Sequence, residues 1–184
     1  MPMCSEMKSA AQLRPLTPED VPAVLALQAQ CYGPEFLESA QAFRAKLEAA
    51  APHRCSWMAW RDEQPLAYLV SLPVCEQSLP ALDAPSLSLP AVPRLLYLHD
   101  LAVAPAGRSL GLGRRLVAQV LESARALGLA RLGLVAVQGS VPYWQAQGFA
   151  EPAVLAEALA RKLASFGDEA RWMERVLAVA DAPA

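Results

Sequence analysis

Two glycines and two arginines share one short turn, and together these residue types could hold a phosphate group. The turn runs Arg108-Ser109-Leu110-Gly111-Leu112-Gly113-Arg114 between an apolar segment and a helical one. Glycines at the beginning of a helix let the backbone approach an anion, so that free amides and the helix dipole face it. Arg108 and Arg114 add fixed positive charge. The alternative is that the glycines only allow tight packing of a strand against the helix.

The spacing of the turn excludes two standard nucleotide-binding motifs. No Lys-Ser or Lys-Thr follows the glycines, as a P-loop requires. A dinucleotide-binding fold needs a third glycine and an acid near the end of the next strand. Residues 114–116 contain no glycine, and the next strand ends in Val137-Gln138.

One of the two histidines, His99, lies in the apolar segment before the turn. An ordinary imidazole suits proton transfer near pH 7. The alternation of a strand puts His99 on the face of Tyr97 and Leu101. It predicts that Asp100 points to the opposite face, as a buried partner of a backbone group or an arginine. The alternative for His99 is a packed core histidine.

The segments around the turn predict how these residues are positioned. A strand at 95–103, a helix with apolar residues at helical spacing from Leu112 to Leu127, and a strand at 132–137 form a strand–helix–strand unit with parallel strands. Upstream, the patterns predict a strand at 13–16, helices at 17–30 and 39–50, and a hairpin of strands 55–60 and 66–72. Downstream, they predict helices at 142–147 and 154–165 and a last strand at 170–179.

Five prolines and two charges between residues 73 and 93 predict a long loop that is neither helix nor central strand. Such a loop is either functional or a simple insertion. We expect a loose tail at 1–11 and a single domain at 12–180, because 184 residues fit one domain.

Composition limits the classes of partner. With 54% hydrophobic residues the chain is not disordered, and a net charge of −2 argues against a cationic nucleic-acid binder. No stretch reaches the roughly 18 apolar residues of a membrane span, and the N-terminus has no signal-peptide core. Four cysteines without a C-x-x-C pair predict no metal site, no disulfide framework and a cytoplasmic protein.

Two motifs carry a family resemblance. Arg108-x-x-Gly111-x-Gly113 after an apolar strand resembles the [Q/R]-x-x-G-x-[G/A] acyl-CoA signature of the GNAT superfamily of N-acetyltransferases. Tyr143-Trp144-Gln145-Ala146-Gln147-Gly148-Phe149 is similar to that family's aromatic-x-x-x-G-F segment. Leu98 to Val103 and Val141 to Trp144 are most similar to the arylalkylamine N-acetyltransferase branch. The resemblance implies an α/β (α+β) fold with a mixed, mostly antiparallel central sheet, splayed parallel central strands and helices on both faces.

The resemblance also implies acetyl-CoA as co-substrate. Its pyrophosphate would lie on the amides of the turn, with Arg115 as a third positive charge. Its pantetheine arm would pair with the edge of Leu101, Ala102 and Val103, and Trp144 would pack against it. The amide of Leu101 would polarise the thioester carbonyl. The turn residues in question are Arg108, Ser109, Leu110, Gly111, Leu112, Gly113 and Arg114.

The implied reaction is direct attack of a primary amine on acetyl-CoA in a ternary complex. His99 matches a histidine of the arylalkylamine branch and is the candidate base. Many members have a Tyr four residues before the Gly of the Gly-Phe pair, but here that position is Trp144, so Tyr143 is the candidate acid or no acid is needed. We expect the acceptor pocket to include Tyr32, Phe36, Tyr97 and Glu35, with the proline-rich loop forming another part of it. Glu35 could pair with the ammonium, although Glu35 and Glu38 are more typical of solvated surface charges.

Three functions remain open at this point. The first is acetylation of a small-molecule amine by a monomer or homodimer, with no nucleic-acid or membrane partner. The second is acetylation of a protein N-terminus or lysine, which an open groove free of the proline-rich loop would favour over a lidded pocket. The third is a non-catalytic acyl-CoA-binding module, which the missing Tyr at position 144 keeps possible.

Overall fold

Within residues 9–178, which a computed structural model describes, six strands lie side by side in one sheet, in the order in which they occur along the chain. Residues 1–8 of the predicted tail and residues 179–184, with the last residue of the predicted final strand, lie outside the described residues. Only β4 and β5 run parallel, and the other neighbouring pairs are antiparallel. The strands are β1 (Gln12–Pro15), β2 (Trp57–Arg61), β3 (Gln64–Val74), β4 (Leu95–Val103), β5 (Arg131–Ala136) and β6 (Arg171–Val176). The helices are α1 (Val21–Cys31), α2 (Ala40–Ala50), α3 (Leu112–Ala126), α4 (Val141–Ala146) and α5 (Glu157–Leu163).

Helices pack on both faces of the sheet, as expected from the alternation along its strands. Tyr68 and Val70 of β3 belong to the core beneath α1 and α2. Leu69 between them belongs to the core beneath α3. The predicted apolar face of α3 is the buried one, and Gly128, with φ +69°, follows its last turn. The mixed, mostly antiparallel sheet with helices on both faces is therefore confirmed.

The parallel strands β4 and β5 separate part-way along their length. They pair only at Leu96–Leu132, Tyr97–Gly133 and Leu98–Leu134. Beyond Leu98, β4 stays paired with β3 as far as Val103. The register with β3 shifts here, since Ser71 pairs with Leu98 and Val70 with Asp100, which leaves His99 as an extra residue. Such a bulge bends the strand, and a gap opens between β4 and β5.

The prediction that residues 73–93 contain no central strand is wrong at its first residues. Pro73 and Val74 continue β3, and Pro73 pairs with Leu96 of β4. The amide of Ser71 points to the β2 side of the sheet, where it donates to the side chain of Ser56, the residue before β2. By alternation the Pro73 nitrogen points the same way, past the end of β2, so its missing N–H removes no sheet hydrogen bond. A short 3₁₀ turn at Glu76–Ser78 follows, and residues 79–94 are irregular.

Candidate active site

A cavity of about 440 Å³ fills the gap between β4 and β5. Most of its lining comes from the end of α1, the connection to α2, β4, the glycine turn, β5 and α4. The cavity lies where β4 and β5 diverge. The fold therefore places the backbone of β4, the beginning of α3 and several side chains around the same cavity. Most residues predicted for the site line it, namely Tyr32, Phe36, Tyr97, His99, Leu101, Val103, Arg108, Gly111, Gly113, Arg114, Tyr143 and Trp144.

The edge of β4 presents backbone groups to this gap. The Ala104 amide donates to the Leu66 carbonyl of β3, so by alternation Ala102 also faces β3 and Leu101 and Val103 face the gap. Two side chains from the end of α1 already use the carbonyls on that side. The Tyr32 hydroxyl donates to the Leu101 oxygen at 2.6 Å, and the Cys31 thiol donates to the Val103 oxygen at 3.4 Å. The amides of Leu101 and Val103 are thus the groups that an extended ligand arm could pair with.

The glycine turn begins α3 as an anion site requires. Gly111 adopts φ +65°, and Arg108 and Arg114 line the cavity beside it. Ser109 and Leu110 are exposed outside the cavity lining, and the Leu112 side chain is fully buried in the core. Arg115 points elsewhere, because its guanidinium donates to the Ala11 carbonyl oxygen at 2.8 Å. The positive charge at the cavity therefore comes from two of the three arginines.

The aromatic pair on α4 divides into a buried and a half-exposed ring. Trp144 is 8% exposed, and its ring packs edge-on against Phe149 with centroids 5.5 Å apart. Tyr143 is 39% exposed, and its hydroxyl lies against the Gly113 backbone, only 2.5 Å from where a Cβ would stand. Burial raises the pKa of Tyr143, so this hydroxyl stays protonated at neutral pH. The phenol, and not the indole, is the group here that can give up a proton.

The side chain of His99 is held by the carboxylate of Glu38, a residue for which the sequence predicts a surface charge. His99 Nε2 lies 2.6 Å from Glu38 Oε1, and both side chains are 2% exposed. Glu38 also accepts from Lys46 Nζ at 2.7 Å. Burial by itself raises the pKa of Glu38, but the charges and hydrogen bonds of His99 and Lys46 outweigh it and lower the pKa to about 2. Glu38 is therefore a buried carboxylate ion.

One sequence signal could have identified Glu38. Ser39 caps α2, since its side chain accepts from the Ala42 amide, which makes Glu38 the residue before the cap. An apolar residue is the usual choice there, where it packs against the fourth helical residue, here Phe43. The acid at this position departs from that pattern, and this departure is the one sequence feature that could have drawn attention to Glu38.

Asp100 does not point away from His99 as predicted. Because the bulge at His99 breaks the alternation of β4, His99 and Asp100 both line the cavity. Asp100 accepts from the Tyr68 hydroxyl at 2.5 Å. Its burial raises its pKa despite that hydrogen bond. The interpretation of Asp100 as a buried partner agrees with this contact, but the partner is a tyrosine.

Aromatic and aliphatic side chains cover the end of the cavity around His99. The Tyr97 and His99 rings meet edge-on with centroids 5.7 Å apart. Leu82, from the proline-rich loop that was expected to contribute to the acceptor pocket, also lines the cavity. Phe166, after α5, lines it as well, and no sequence pattern pointed to this residue. Glu35 is exposed outside the cavity lining, with its carboxylate folded over Gly33.

The glycine turn, the open strand edge and the α4 aromatics together match a known sequence family. The profile of the acetyltransferase (GNAT) family matches residues 21–149, which is most of the chain. This chain belongs to the GNAT family of acetyltransferases. The residues matched include α1, β4, the glycine turn and the Gly148-Phe149 pair. A search of curated protein sequences gives no significant match.

Solved structures share the GNAT fold with this chain at low sequence identity. The GNAT-like decarboxylase GphF, in complex with isobutyryl-CoA, has a TM-score of 0.69 at 17% identity over 91% of this chain and 100% of its own. N-acetylglutamate synthase from Neisseria gonorrhoeae, complexed with coenzyme A and N-acetyl-glutamate, has a TM-score of 0.64 at 18% identity over 94% of this chain and 36% of its own. Naa50 from Arabidopsis thaliana, in complex with the bisubstrate analogue CoA-Ac-MVNAL, has a TM-score of 0.62 at 10% identity over 92% and 100%.

Each of these three structures contains coenzyme A or a derivative of it, and the second also contains N-acetyl-glutamate. Within residues 9–178 of this chain, no group of three or more His, Cys, Asp and Glu side chains is placed to hold a metal ion. In the same range, every helix is too short or too polar to cross a membrane.

Proposed function

We propose that this GNAT chain transfers the acetyl group of acetyl-CoA to the primary amine of a small molecule, by direct attack within a ternary complex. One observation supports this above the others. The amides of Leu101 and Val103, the arginine-flanked beginning of α3 and the buried His99 all meet in a single cavity. A thioester held along β4 would therefore share one cavity with a histidine that can accept a proton.

The residues present fit acetyl-CoA. In this proposal the turn from Arg108 to Arg114 binds the pyrophosphate through free helix amides and two guanidinium groups. The Val103 amide pairs with the pantetheine arm as a neighbouring strand would, and the Leu101 amide is left for the thioester carbonyl. The close approach at Gly113 also matters, because a side chain there would collide with Tyr143 at the beginning of α3. Acetyl-CoA supplies the activated thioester that the reaction consumes.

His99 removes the proton that blocks the attack. A free alkylamine has a pKa of about 10.4 and is mostly protonated near pH 7. His99 accepts a proton from the amine, directly or through water. The Leu101 amide then donates to the thioester oxygen as negative charge develops on it. The departing sulfur receives its proton from Tyr143, or leaves as the thiolate. The attacking nitrogen gives up its remaining extra proton as the amide forms, and this proton goes to the thiolate or restores the Tyr143 hydroxyl.

The proline-rich loop supports a small-molecule acceptor. Leu82 from this loop lines the cavity. The loop is tied down next to it, since the Ser39 amide donates to the Asp83 carboxylate at 2.7 Å. A cavity with part of this loop in its wall suits a compact amine with an apolar or aromatic body between Tyr32, Phe36 and Tyr97. We also expect a cytoplasmic location, because Cys31, Cys55 and Cys75 are all unpaired.

The test is acetyl-CoA turnover with detection of free thiol over a panel of small amines and of peptides with free N-termini or lysines. We expect turnover with apolar or aromatic small amines. Preference for peptides would establish the protein-directed alternative, and binding of acetyl-CoA without thiol release for any acceptor would establish the non-catalytic one.

A matched pair of variants tests the base. His99→Ala should lower kcat by about 10²- to 10⁴-fold, the usual contribution of a positioned base. His53→Ala is the control, because His53 is the other histidine and lies outside the cavity lining, in the 3₁₀ turn at Ala51–His53. Unchanged turnover in His99→Ala would reject the base assignment.

A further inference from the structure

Glu38 is fixed in place by several hydrogen bonds in addition to its ion pair with Lys46. Its backbone amide donates to Gln28 Oε1 at 3.0 Å, and its carbonyl oxygen accepts from Gln28 Nε2 at 2.6 Å. Its Oε2 accepts from Lys46 Nζ and from the Asp83 amide, each at 2.7 Å. Its Oε1 is left for His99 Nε2 at 2.6 Å. The carboxylate is thus locked with one oxygen aimed at the imidazole.

This arrangement decides which imidazole nitrogen carries the proton. An ionised carboxylate can only accept hydrogen bonds, so Nε2 of a neutral His99 must be the protonated nitrogen. His99 Nδ1 is buried and has no hydrogen-bond partner among the described residues. The lone pair of the neutral ring is therefore on Nδ1. The neighbouring carboxyl, Asp100, has its own partner in Tyr68 and does not compete for the ring.

We propose that Glu38 is a positioning residue for His99: it holds the proton on Nε2 and leaves Nδ1 as the nitrogen that accepts the proton of the attacking amine. When Nδ1 takes that proton, the imidazolium keeps its Nε2–H hydrogen bond to Glu38, and the carboxylate stabilises the new positive charge. The use of Nδ1 in catalysis rests on the proposed function, but the choice of tautomer does not.

Glu38→Gln makes a sharp test, because the surrounding donors decide how the new amide turns. Lys46 Nζ and the Asp83 N–H both donate to the Oε2 position, so the carbonyl oxygen of the glutamine must take that place. Its NH₂ group then faces His99 and needs an acceptor. Nε2 has to give up its proton to become that acceptor, and the proton moves to Nδ1. A nearly isosteric substitution should therefore invert the tautomer and remove the basic nitrogen from its position.

The tautomer can be read directly by NMR. The chain has only two histidines, so selective ¹⁵N-histidine labelling gives two imidazole systems, and His53→Gln assigns them. We expect Nε2–H for His99 in the wild type at a pH where the ring is neutral, and Nδ1–H in Glu38→Gln. His53 should be unchanged and serves as the internal reference. The Nε2–H tautomer in both proteins would overturn the proposal.

Two further variants separate positioning from simple stabilisation. Lys46→Met removes the buried ion pair but keeps the carboxylate, so His99 should keep its wild-type tautomer. The double variant Glu38→Gln/Lys46→Met carries no unpaired buried ammonium and can be studied if the single variant folds poorly. It should show the inverted tautomer, because the Asp83 N–H still fixes the amide. If Lys46→Met by itself inverted the tautomer of His99, the proposal would be overturned.

Turnover then connects the tautomer to the reaction. Glu38→Gln should lower kcat/KM for the acceptor by about 10²-fold or more, as expected when a positioned base is lost. An inverted tautomer with wild-type turnover would overturn the catalytic part of the proposal. If His99→Ala also kept wild-type turnover, the failure would belong to the proposed base and not to the positioning by Glu38.

Discussion

Gly133 in β5 faces the indole of Trp172, and the two fit so closely that one added methyl group should destabilise the protein. A Cβ on Gly133 would lie 2.3 Å from Trp172 Cζ2 and 2.6 Å from Cη2. Because carbon atoms pack at about 3.5 Å or more, the ring would have to move by over about 1 Å. It has little freedom to do so: it is 2% exposed, stacks on Tyr97 with centroids 6.0 Å apart, and donates to Glu174 Oε1 at 2.6 Å.

The cost of Gly133→Ala follows from this confinement. Inserting a methylene into a well-packed core costs about 1–3 kcal/mol, and a ring held on several sides should place the loss at about 2–3 kcal/mol. For a domain of this size, each kcal/mol lowers Tm by about 2–4 °C, so Tm should fall by roughly 4–12 °C. Since Trp172 stacks on Tyr97, which lines the cavity, we also expect a higher KM for the acceptor.

Denaturant unfolding of a double-mutant cycle tests the reasoning. Trp172→Phe removes the Cζ2 and Cη2 atoms of the indole, so Gly133→Ala should cost at least about 1 kcal/mol less in that background than in the wild type. A Gly133→Ala protein as stable as the wild type, or an equal loss in both backgrounds, would refute the proposed collision with the ring.

Three further changes should affect the turn, the acid and the buried carboxylate. Gly111→Ala meets no atom within 4 Å but must adopt φ +65°, so it should cost about 1 kcal/mol in unfolding free energy and weaken acetyl-CoA binding measured by calorimetry. Tyr143→Phe should lower kcat by about 10²-fold with little change in KM for acetyl-CoA, and kcat unchanged across pH would exclude Tyr143 as the acid. Glu38 has a pKa of about 2 in the folded protein against an ordinary 4.5, so its ionised form stabilises the fold above about pH 4.5, and this stabilisation is lost as the pH falls towards 2. Unfolding free energy measured against pH should therefore drop over this interval in the wild type and drop less in Glu38→Gln; equal slopes would contradict the low pKa.

The order of elements and one half of the site follow from local sequence patterns. The apolar positions of α3 repeat with the helical period, so its buried face and its place against the sheet could be predicted without coordinates. Gly111 and Gly113 with their flanking arginines mark the beginning of that helix by residue type alone. His99 and the aromatic residues Tyr32, Phe36 and Tyr97 were also found from the sequence, with the family resemblance.

The other half of the site depends on contacts between residues far apart in the chain. Glu38 looks like a surface acid until α2 and β4 bring Lys46 and His99, 8 and 61 positions away, against its carboxylate. The direction of Asp100 depends on a bulge that appears only when β4 is paired with β3. Leu82 and the Asp83 amide reach the site because an irregular loop folds over it, and irregular segments carry no periodic pattern to predict from.

By itself, then, the sequence determined a GNAT-type order of elements, the candidate anion-binding turn and the identity of the candidate base. Only the tertiary structure decided which carboxylate holds that base and which of its two nitrogens is free. The physical reason is that periodicity and turn chemistry are local properties of a chain. The protonation and orientation of a buried side chain are instead set by whichever charges and donors the fold packs around it.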